Sequence, residues 1–455
     1  MEKKKGSLKS TITVSLTNYL DAGAIVAGAS GLTLWQDYLG LSEGHLGWLN
    51  FVSANCLGAA IGAIIGGFLA DKYGRKLIYT YNMLIYMLGV AIVIFAVNFP
   101  MLLAGFLVTG ISVGIGVPAS WTYISESSEI NKRGRNICIS QMAWGIGPTI
   151  ILFLGMLFAP ATAGKESGAL FGLIESCVNA LSGGSITGAA LNVYSSRVVF
   201  GSLFVVALIA WLLQRRLDES AEWTAMKAGE TTQEKSAGVF SSFGTLFSNK
   251  KVVKTLAFLA CMYLSWNLVA SVMGFFQPHI YETAGGLSNS QANMLASGQW
   301  LIIIAFTFLL SFVIDRINQR WVFAVGVVIG ICAWFIIDFI GITDMKYLVL
   351  FTVLWGLHSG LGVQTFYALW ATELFPAKYR AAAQGVMFFF VRGLSAVWGV
   401  VFAYIYGANG QGFGLAAAIM TGLLIVSLLI GVICAPETRG KTLDQITKER
   451  YGENI

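Results

Sequence analysis

Charged side chains are scarce in this chain: Asp, Glu, Lys and Arg make up 11% of its 455 residues, where a soluble domain carries roughly a quarter. That deficit excludes water as the main solvent. The six cysteines, at 56, 138, 177, 261, 332 and 434, are scattered and form no C-x-x-C pair, so neither a disulfide framework nor a zinc site is indicated. The three histidines, His45, His279 and His358, lie far apart, which leaves a membrane metalloenzyme without its ligand cluster. No grouped catalytic set is visible, and the chain reads as a non-enzyme that needs no cofactor.

Apolar residues are abundant instead, at 56%. A bilayer core of about 30 Å needs about 20 of them in a row at helical rise. Twelve runs of that kind fall near 12–36, 46–70, 77–97, 101–124, 137–160, 197–214, 255–279, 291–314, 321–341, 346–371, 381–406 and 412–435, which predicts an all-α integral membrane protein. Many of the 52 glycines lie inside them, as membrane helices tolerate where backbones approach closely. Cytoplasmic loops carry the excess of Lys and Arg. With the N-terminus inside, 25 of the 29 such residues fall on one side; Lys165, Arg197 and Lys346 lie outside and Arg392 within a span. Both termini are therefore expected in the cytoplasm, with the protein in the cell (inner) membrane. The net charge of +6 is topological and needs no nucleic acid.

The charged punctuation occurs twice. Asp71-Lys72-Tyr73-Gly74-Arg75-Lys76 returns as Asp315-Arg316-Ile317-Asn318-Gln319-Arg320, and Glu126 with Arg133 returns as Glu373 with Arg380. A duplicated six-helix unit accounts for this: a first bundle over 1–214, a polar cytoplasmic linker with short helices over 215–254, and a second bundle with a tail over 255–455. The stretch near 161–196 is expected outside as a lid or partial helix.

Gly66-Gly67-Phe68-Leu69-Ala70-Asp71-Lys72-Tyr73-Gly74-Arg75-Lys76 resembles the signature loop of the major facilitator superfamily. Tyr123-Ile124-Ser125-Glu126 through Arg133-Gly134, Glu373-Leu374-Phe375-Pro376 through Arg380, Asp218-Glu219-Ser220-Ala221-Glu222-Trp223, and Pro436-Glu437-Thr438-Arg439-Gly440-Lys441-Thr442-Leu443 are similar to motifs of its sugar porter family. The resemblance implies two bundles that rock around a midplane site. It also implies a cytoplasmic gate built from Asp71, Arg75, Glu126, Arg133 and Glu219 in the first half and Asp315, Arg316, Glu373, Arg380 and Glu437 in the second. A monomer is expected, with the bilayer and a small solute as its partners.

An ionisable residue at bilayer depth costs about 2.5–3.5 kcal/mol on insertion scales and asks for a partner or a role. Asp21, His358 and Arg392 are such residues. Asp21 resembles the span-one aspartate that carries the proton in family symporters. Those symporters place an arginine near the start of helix four, where this chain has Ala104-Gly105-Phe106. Either coupling is lost or Arg392 supplies the charge; Arg392 can alternatively bind an anionic solute. Sugar hydroxyls need directional partners beside an aromatic platform, so Gln141, Trp266, Asn267, Gln299, His358, Gln364, Tyr367 and Arg392 are the expected substrate ligands. Span seven lacks the family's paired glutamines, and Pro148 replaces a second helix-five glutamine. The sequence therefore predicts proton-coupled import of a sugar, polyol or sugar derivative by alternating access. The alternatives are uptake of a small organic anion on Arg392, or uncoupled facilitation.

Overall fold

A computed structural model describes residues 8–41, 43–161, 167–229, 241–283, 285, 289–341, 344–406 and 412–452. The basic tail before residue 8 and linker residues 230–240 lie outside these. Twelve spans run in order: α1 (Leu8–Ser30), α2 in two pieces (Glu43–Val52 and Leu57–Tyr73), α3 (Arg75–Ile94), α4 (Phe99–Ser127), α5 (Arg133–Leu157) and α6 (Ala189–Gln214), then α7 (Lys250–Thr283), α8 (Asn289–Val313), α9 (Gln319–Phe339), α10 in two pieces (Met345–Gly360 and Val363–Glu373), α11 (Arg380–Tyr406) and α12 (Phe413–Cys434).

Ten of these, α3 to α12, are long and apolar enough among the described residues to cross a membrane on their own account. The two that fall short are informative. α1 buries Thr11, Thr13, Ser15, Thr17, Asn18 and Asp21 inside the bundle, and α2 is interrupted by a turn over 53–56. Polar side chains and broken backbone are tolerated at membrane depth only where protein or water satisfies them. The outer surface is the inverse of a soluble protein: Phe153, Ile209, Leu301, Phe312, Phe335 and Phe339 stand exposed, as lipid-facing residues do.

Helix ends follow local chemistry. Gly74, at φ 100°, makes the turn between α2 and α3 that a side chain would strain. Asn98, Asn318 and Asp344 cap α4, α9 and α10 by accepting from the backbone N–H groups of Met101, Arg320 and Lys346. α6 starts at Ala189, eight residues before the apolar run, so that Arg197 lies within it. The guanidinium interrupts the apolar run, yet it is accommodated: Nη2 donates to the Ala96 carbonyl at 3.0 Å and the group lies over the rings of Trp35, Tyr38 and Tyr194. Between α5 and α6, a helix over Phe171–Ser182 buries Phe171, Ile174 and Val178. It has 12 residues, too few to span. Two short helices, Ala221–Ala228 and Ser241–Ser248, separate the halves.

Across the halves α2 packs on α11 and α5 on α8. Small residues make the first contact possible: a Cβ on Gly385 would come 2.2 Å from the Ala63 carbonyl oxygen, and one on Gly67 2.4 Å from that of Ala381. Backbones this close replace the hydrophobic drive that lipid cannot supply.

Candidate functional site

A cavity enclosing roughly 910 Å³ of empty space, its mouth included, lies between the two bundles. α1 contributes Ala22, Ile25 and Val26, the α2 break contributes Asn55, and α5 contributes Gln141, Trp144 and Pro148. Most of the wall is from the second half: Trp266, Asn267, Ser271 and Gln277 of α7, Gln299, Trp300 and Thr307 of α8, Trp355, Ser359 and Gln364 of α10, and Arg392 of α11. On α1 and α7 the lining residues run from mid-helix toward the end away from the termini. The size suits a small ligand, and the wall alternates amides with indoles.

The amides are held in place. Gln277 Nε2 donates to Gln299 Oε1 and to the Tyr281 hydroxyl, both at 2.6 Å. Asn267 Oδ1 accepts from Ser395 Oγ at 2.9 Å. Gln364 Nε2 donates to Gln141 Oε1 at 3.0 Å, joining the halves at the cavity wall. Arg392 is 3% exposed; its Nη1 donates to Asn55 Oδ1 at 2.6 Å while its guanidinium lies 5.0 Å from the Phe388 ring centre. Among the described residues no carboxylate lies within ion-pair distance of it, and its Nε has no partner.

Of the expected substrate ligands, Gln141, Trp266, Asn267, Gln299, Gln364 and Arg392 are therefore in the wall, and His358 and Tyr367 are behind it. His358 Nε2 lies 2.9 Å from Trp266 Nε1, and its Nδ1 lies 2.8 Å from the Gly326 carbonyl. An indole N–H can only donate and a carbonyl only accept, so the geometry assigns a neutral ring with its proton on Nδ1. The imidazole orients Trp266 and is shut off from the cavity. Tyr367 stacks on Tyr263 with ring centres 3.9 Å apart and meets Trp121 edge-on, fully buried. Sequence reasoning missed Asn55, Trp144, Gln277, Trp300 and Trp355. One signal was available: Trp266, Ala270, Met273, Gly274 and Gln277 recur at helical spacing along one face of α7.

Asp21 is 1% exposed and not part of the wall, although Ala22 next to it is. Its Oδ2 has no hydrogen-bond partner. Phe106, which stands where the arginine would, packs its ring against Gly28 and Phe200. Arg392 is the cation whose field reaches Asp21.

Toward the face that carries both termini, the halves are locked together. Asp71 accepts from the backbone N–H groups of Ala381 and Ala382 at 3.2 and 2.6 Å, at the start of α11. Asp315 repeats this at the start of α5, accepting from Gly134 and Arg135 at 2.8 and 2.9 Å. Each acid thus sits at a helix N-terminus of the opposite half, where the unsatisfied N–H groups and the helix dipole favour it. Burial nevertheless pushes the Asp315 carboxyl above its ordinary value, against the opposing pull of those N–H groups and of Arg133 and Arg135. Glu126 Oε1 accepts from Arg75 at 2.9 Å and from Arg380, across the interface, at 2.8 Å. Its counterpart is looser, with Glu373 and Arg133 3.9 Å apart.

The linker helix belongs to this lock. Glu219 accepts from the backbone N–H groups of Arg75 and Lys76 at 3.0 and 3.1 Å, Ser220 donates to Glu126 at 2.5 Å, and Glu222 pairs with Arg380 at 3.2 Å. Two expected gate residues act differently from the expectation. Among the described residues Glu437 pairs with nearby Arg439 at 3.7 Å, half exposed, and Arg316 takes part through its carbonyl, which accepts from Arg439 at 3.0 Å. Among the described residues neither side chain bridges the halves; the tail does so through the Lys441 carbonyl, which accepts from Arg133 at 3.2 Å.

Residues 11–174 match the family model described as Major Facilitator Superfamily, and residues 226–449 match Sugar (and other) transporter. The minor myo-inositol transporter IolF of Bacillus subtilis (strain 168) is 39% identical over 445 residues, covering 98% of this chain and 94% of its own. The niacin transporter NiaP of Acinetobacter baylyi is 26% identical over 441 residues, covering 91% and 90%. Among solved structures, the proton:xylose symporter XylE bound to 6-bromo-6-deoxy-D-glucose superposes with a TM-score of 0.74 at 18% identity, over 97% of this chain and 99% of that one. The twelve-helix expectation is borne out. With 39% identity along almost its whole length and a matching family model in each half, the chain belongs to the sugar porter family of the major facilitator superfamily.

Proposed function

We propose that this protein imports a cyclic polyol of the inositol type by alternating access, together with a proton carried on Asp21. The observation that carries the reading is the cavity wall, where fixed amides alternate with four indoles above a closed interface. Amides give a ring of hydroxyls directional donors and acceptors, and an indole face packs against the C–H side of the ring. The likeness to the minor myo-inositol transporter supports a polyol over other solutes. The distribution of Lys and Arg supports placing the lock, and both termini, in the cytoplasm, so that the arrangement is one in which import begins. Asp21 is buried and its Oδ2 has no hydrogen-bond partner, which suits a group that loads and unloads a proton.

A second reading has its own support. Among the described residues Arg392 lines the cavity with no acid within ion-pair distance, and a guanidinium left so is a ready seat for a carboxylate on the solute; the niacin transporter is a relative.

Uptake into proteoliposomes separates these. Labelled myo-inositol should accumulate when the outside is acidic, should not accumulate under a sodium gradient alone, and should only exchange in Asp21→Asn. Accumulation of niacin or a sugar acid in its place, abolished by Arg392→Gln, would establish the anion reading. Failure of all these solutes to enter rules out both.

A further inference from the structure

We propose that the proton on Asp21 is released through a polar passage inside the first bundle, past Thr17 and Asn82 to Gln214, and not through the substrate cavity. This rests on the proton-coupled reading above and goes beyond it by assigning the route.

The cavity wall includes Ala22 but not Asp21. The acid faces α4 instead: a Cβ on Gly116 would lie 4.0 Å from Asp21 Oδ1, 2.7 Å from Thr17 Cγ2 and 2.9 Å from Asn82 Nδ2. Three polar residues from α1 and α3 thus converge on Gly116, whose missing side chain lets Thr17 and Asn82 pack directly against α4. From there the polar face of α1 continues in steps of four residues, Asp21, Thr17 and Thr13. Eight residues at helical rise carry it about 12 Å, the depth from the midplane toward the terminus-bearing face.

Gln214, the last residue of α6, closes that end. Its Nε2 donates to the Thr13 carbonyl at 3.0 Å and to Thr17 Oγ1 at 3.1 Å. Arg215 and Arg216 follow at once and are exposed. Asp21, Thr17, Asn82 and Gln214 are each 2% exposed or less. Asp21 Oδ2 and Gln214 Oε1, at the two ends of the passage, have no donor. Buried acceptors without a protein donor are where proteins hold water, and water between fixed polar groups passes protons.

The step is a proton transfer. The Asp21 O–H bond breaks, the proton passes to water held between the unpartnered Asp21 and Gln214 acceptors and leaves at Gln214, and the carboxylate keeps the electron pair. The charged group that acts on Asp21 is Arg392 of α11, and Asp21 in turn acts on the phenol of Tyr86 of α3. Arg392 steadies the carboxylate from the cavity side, which leaves the α4 side for departure. A solute and a proton that share no path need not wait for each other to leave.

Thr17→Val keeps the shape and removes the hydroxyl; Asn82→Leu removes the amide that meets Gly116 beside Asp21. Both would be compared with wild type and Asp21→Asn in proteoliposomes, with labelled myo-inositol as the probe. Two quantities are read: accumulation driven by a pH gradient, and counterflow at equal pH, which needs no net proton release. Thr17→Val should slow accumulation at least tenfold and leave counterflow within twofold, and Asn82→Leu should behave alike. Normal accumulation in Thr17→Val beside an Asp21→Asn that only exchanges overturns the route alone. Equal loss of both activities in Thr17→Val also overturns it, by showing a structural role. An Asp21→Asn that still accumulates overturns the coupling reading itself, as does a wild type that exchanges but never accumulates.

Discussion

Replacing Glu126 by Gln should open the terminus-bearing face, and the size of the effect follows from the two guanidiniums that share this carboxylate. Arg75 and Arg380 approach Glu126 Oε1 at 2.9 and 2.8 Å from opposite halves, all three side chains being essentially shut off from solvent. The two arginine nitrogens are thus less than 6 Å apart, held together by one negative charge. Opposite unit charges about 4 Å apart at an effective dielectric constant of 20 attract by about 4 kcal/mol. Gln keeps an acceptor oxygen but removes the charge, so Arg380 retains a hydrogen bond, loses the attraction and still feels Arg75. Glu222, 3.2 Å from Arg380 and 27% exposed, returns part of this. A net loss of about 2–4 kcal/mol from the closed arrangement relative to the open one is expected, because the open one, in which Arg380 has left, loses only the Arg75 pairing that both share. At about 1.4 kcal/mol per tenfold, the closed-to-open ratio should fall roughly 30- to 1,000-fold.

The duplication supplies the control. Glu373 and Arg133 occupy the equivalent positions but stand 3.9 Å apart, so Glu373→Gln should shift the ratio by less than tenfold. Spin labels at positions 73 and 378, on either side of the interface and both exposed, would report the two populations as two distances. A Glu126→Gln protein that stays closed refutes the reasoning, and equal shifts in the two variants would show that the difference in ion-pair distance carries no energy.

Gly385→Val should lower the thermal unfolding temperature in detergent, because its Cβ meets the Ala63 carbonyl at 2.2 Å and overpacking costs about 1–3 kcal/mol. Gly393→Val on the same helix, with nothing within 4 Å of the new Cβ, should not. His358→Leu should raise the KM for solute five- to tenfold by leaving Trp266 Nε1 without its acceptor, with His358→Gln recovering much of the loss; equal KM values in all three proteins would remove the proposed orienting role. Acidifying the terminus-bearing side should favour closure through Asp315. Its carboxyl is raised only while buried in the closed interface, so the closed state binds the proton better, the gain being complete below the open-state pKa and lost as pH rises through the raised one. Asp315→Asn should flatten that dependence in the same spin-label measurement, and an unchanged profile would exclude Asp315 as its source.

What the sequence made legible divides along a physical line. Spans α3 to α5 and α7 to α12 could be placed because a bilayer forces long apolar runs, and α6 was shortened only because Arg197 sits under three aromatic rings that no periodicity reveals. The gate pairs were legible through repetition: Asp71 with Asp315 and Glu126 with Glu373 hold equivalent places in a shared interface. Their strengths were not, since 2.8 Å against 3.9 Å depends on how the linker helix seats Ser220 and Glu222. For the cavity, residue type pointed to Gln141, Trp266, Asn267, Gln299, Gln364 and Arg392, but type says nothing of direction. His358 and Tyr367 had suitable chemistry and point behind the wall.

That division has a reason in the duplicated architecture. A gate closes by contact between halves, so each half must offer complementary charge at the same depth, and both copies keep the pattern. A binding cavity has no such requirement. Here the second half supplies most of the polar and aromatic wall, while the first half contributes Asn55, Gln141, Trp144 and a few apolar residues and keeps its buried polar residues for the space around Asp21. Division of labour of this kind erases the internal repeat where the solute binds and preserves it where the halves meet. Transplanting the Glu126 surroundings onto Glu373 should therefore be tolerated better than exchanging Trp266 or Gln277 with their counterparts in the first half, because the former restores a symmetry the interface already has and the latter imposes one the cavity has lost.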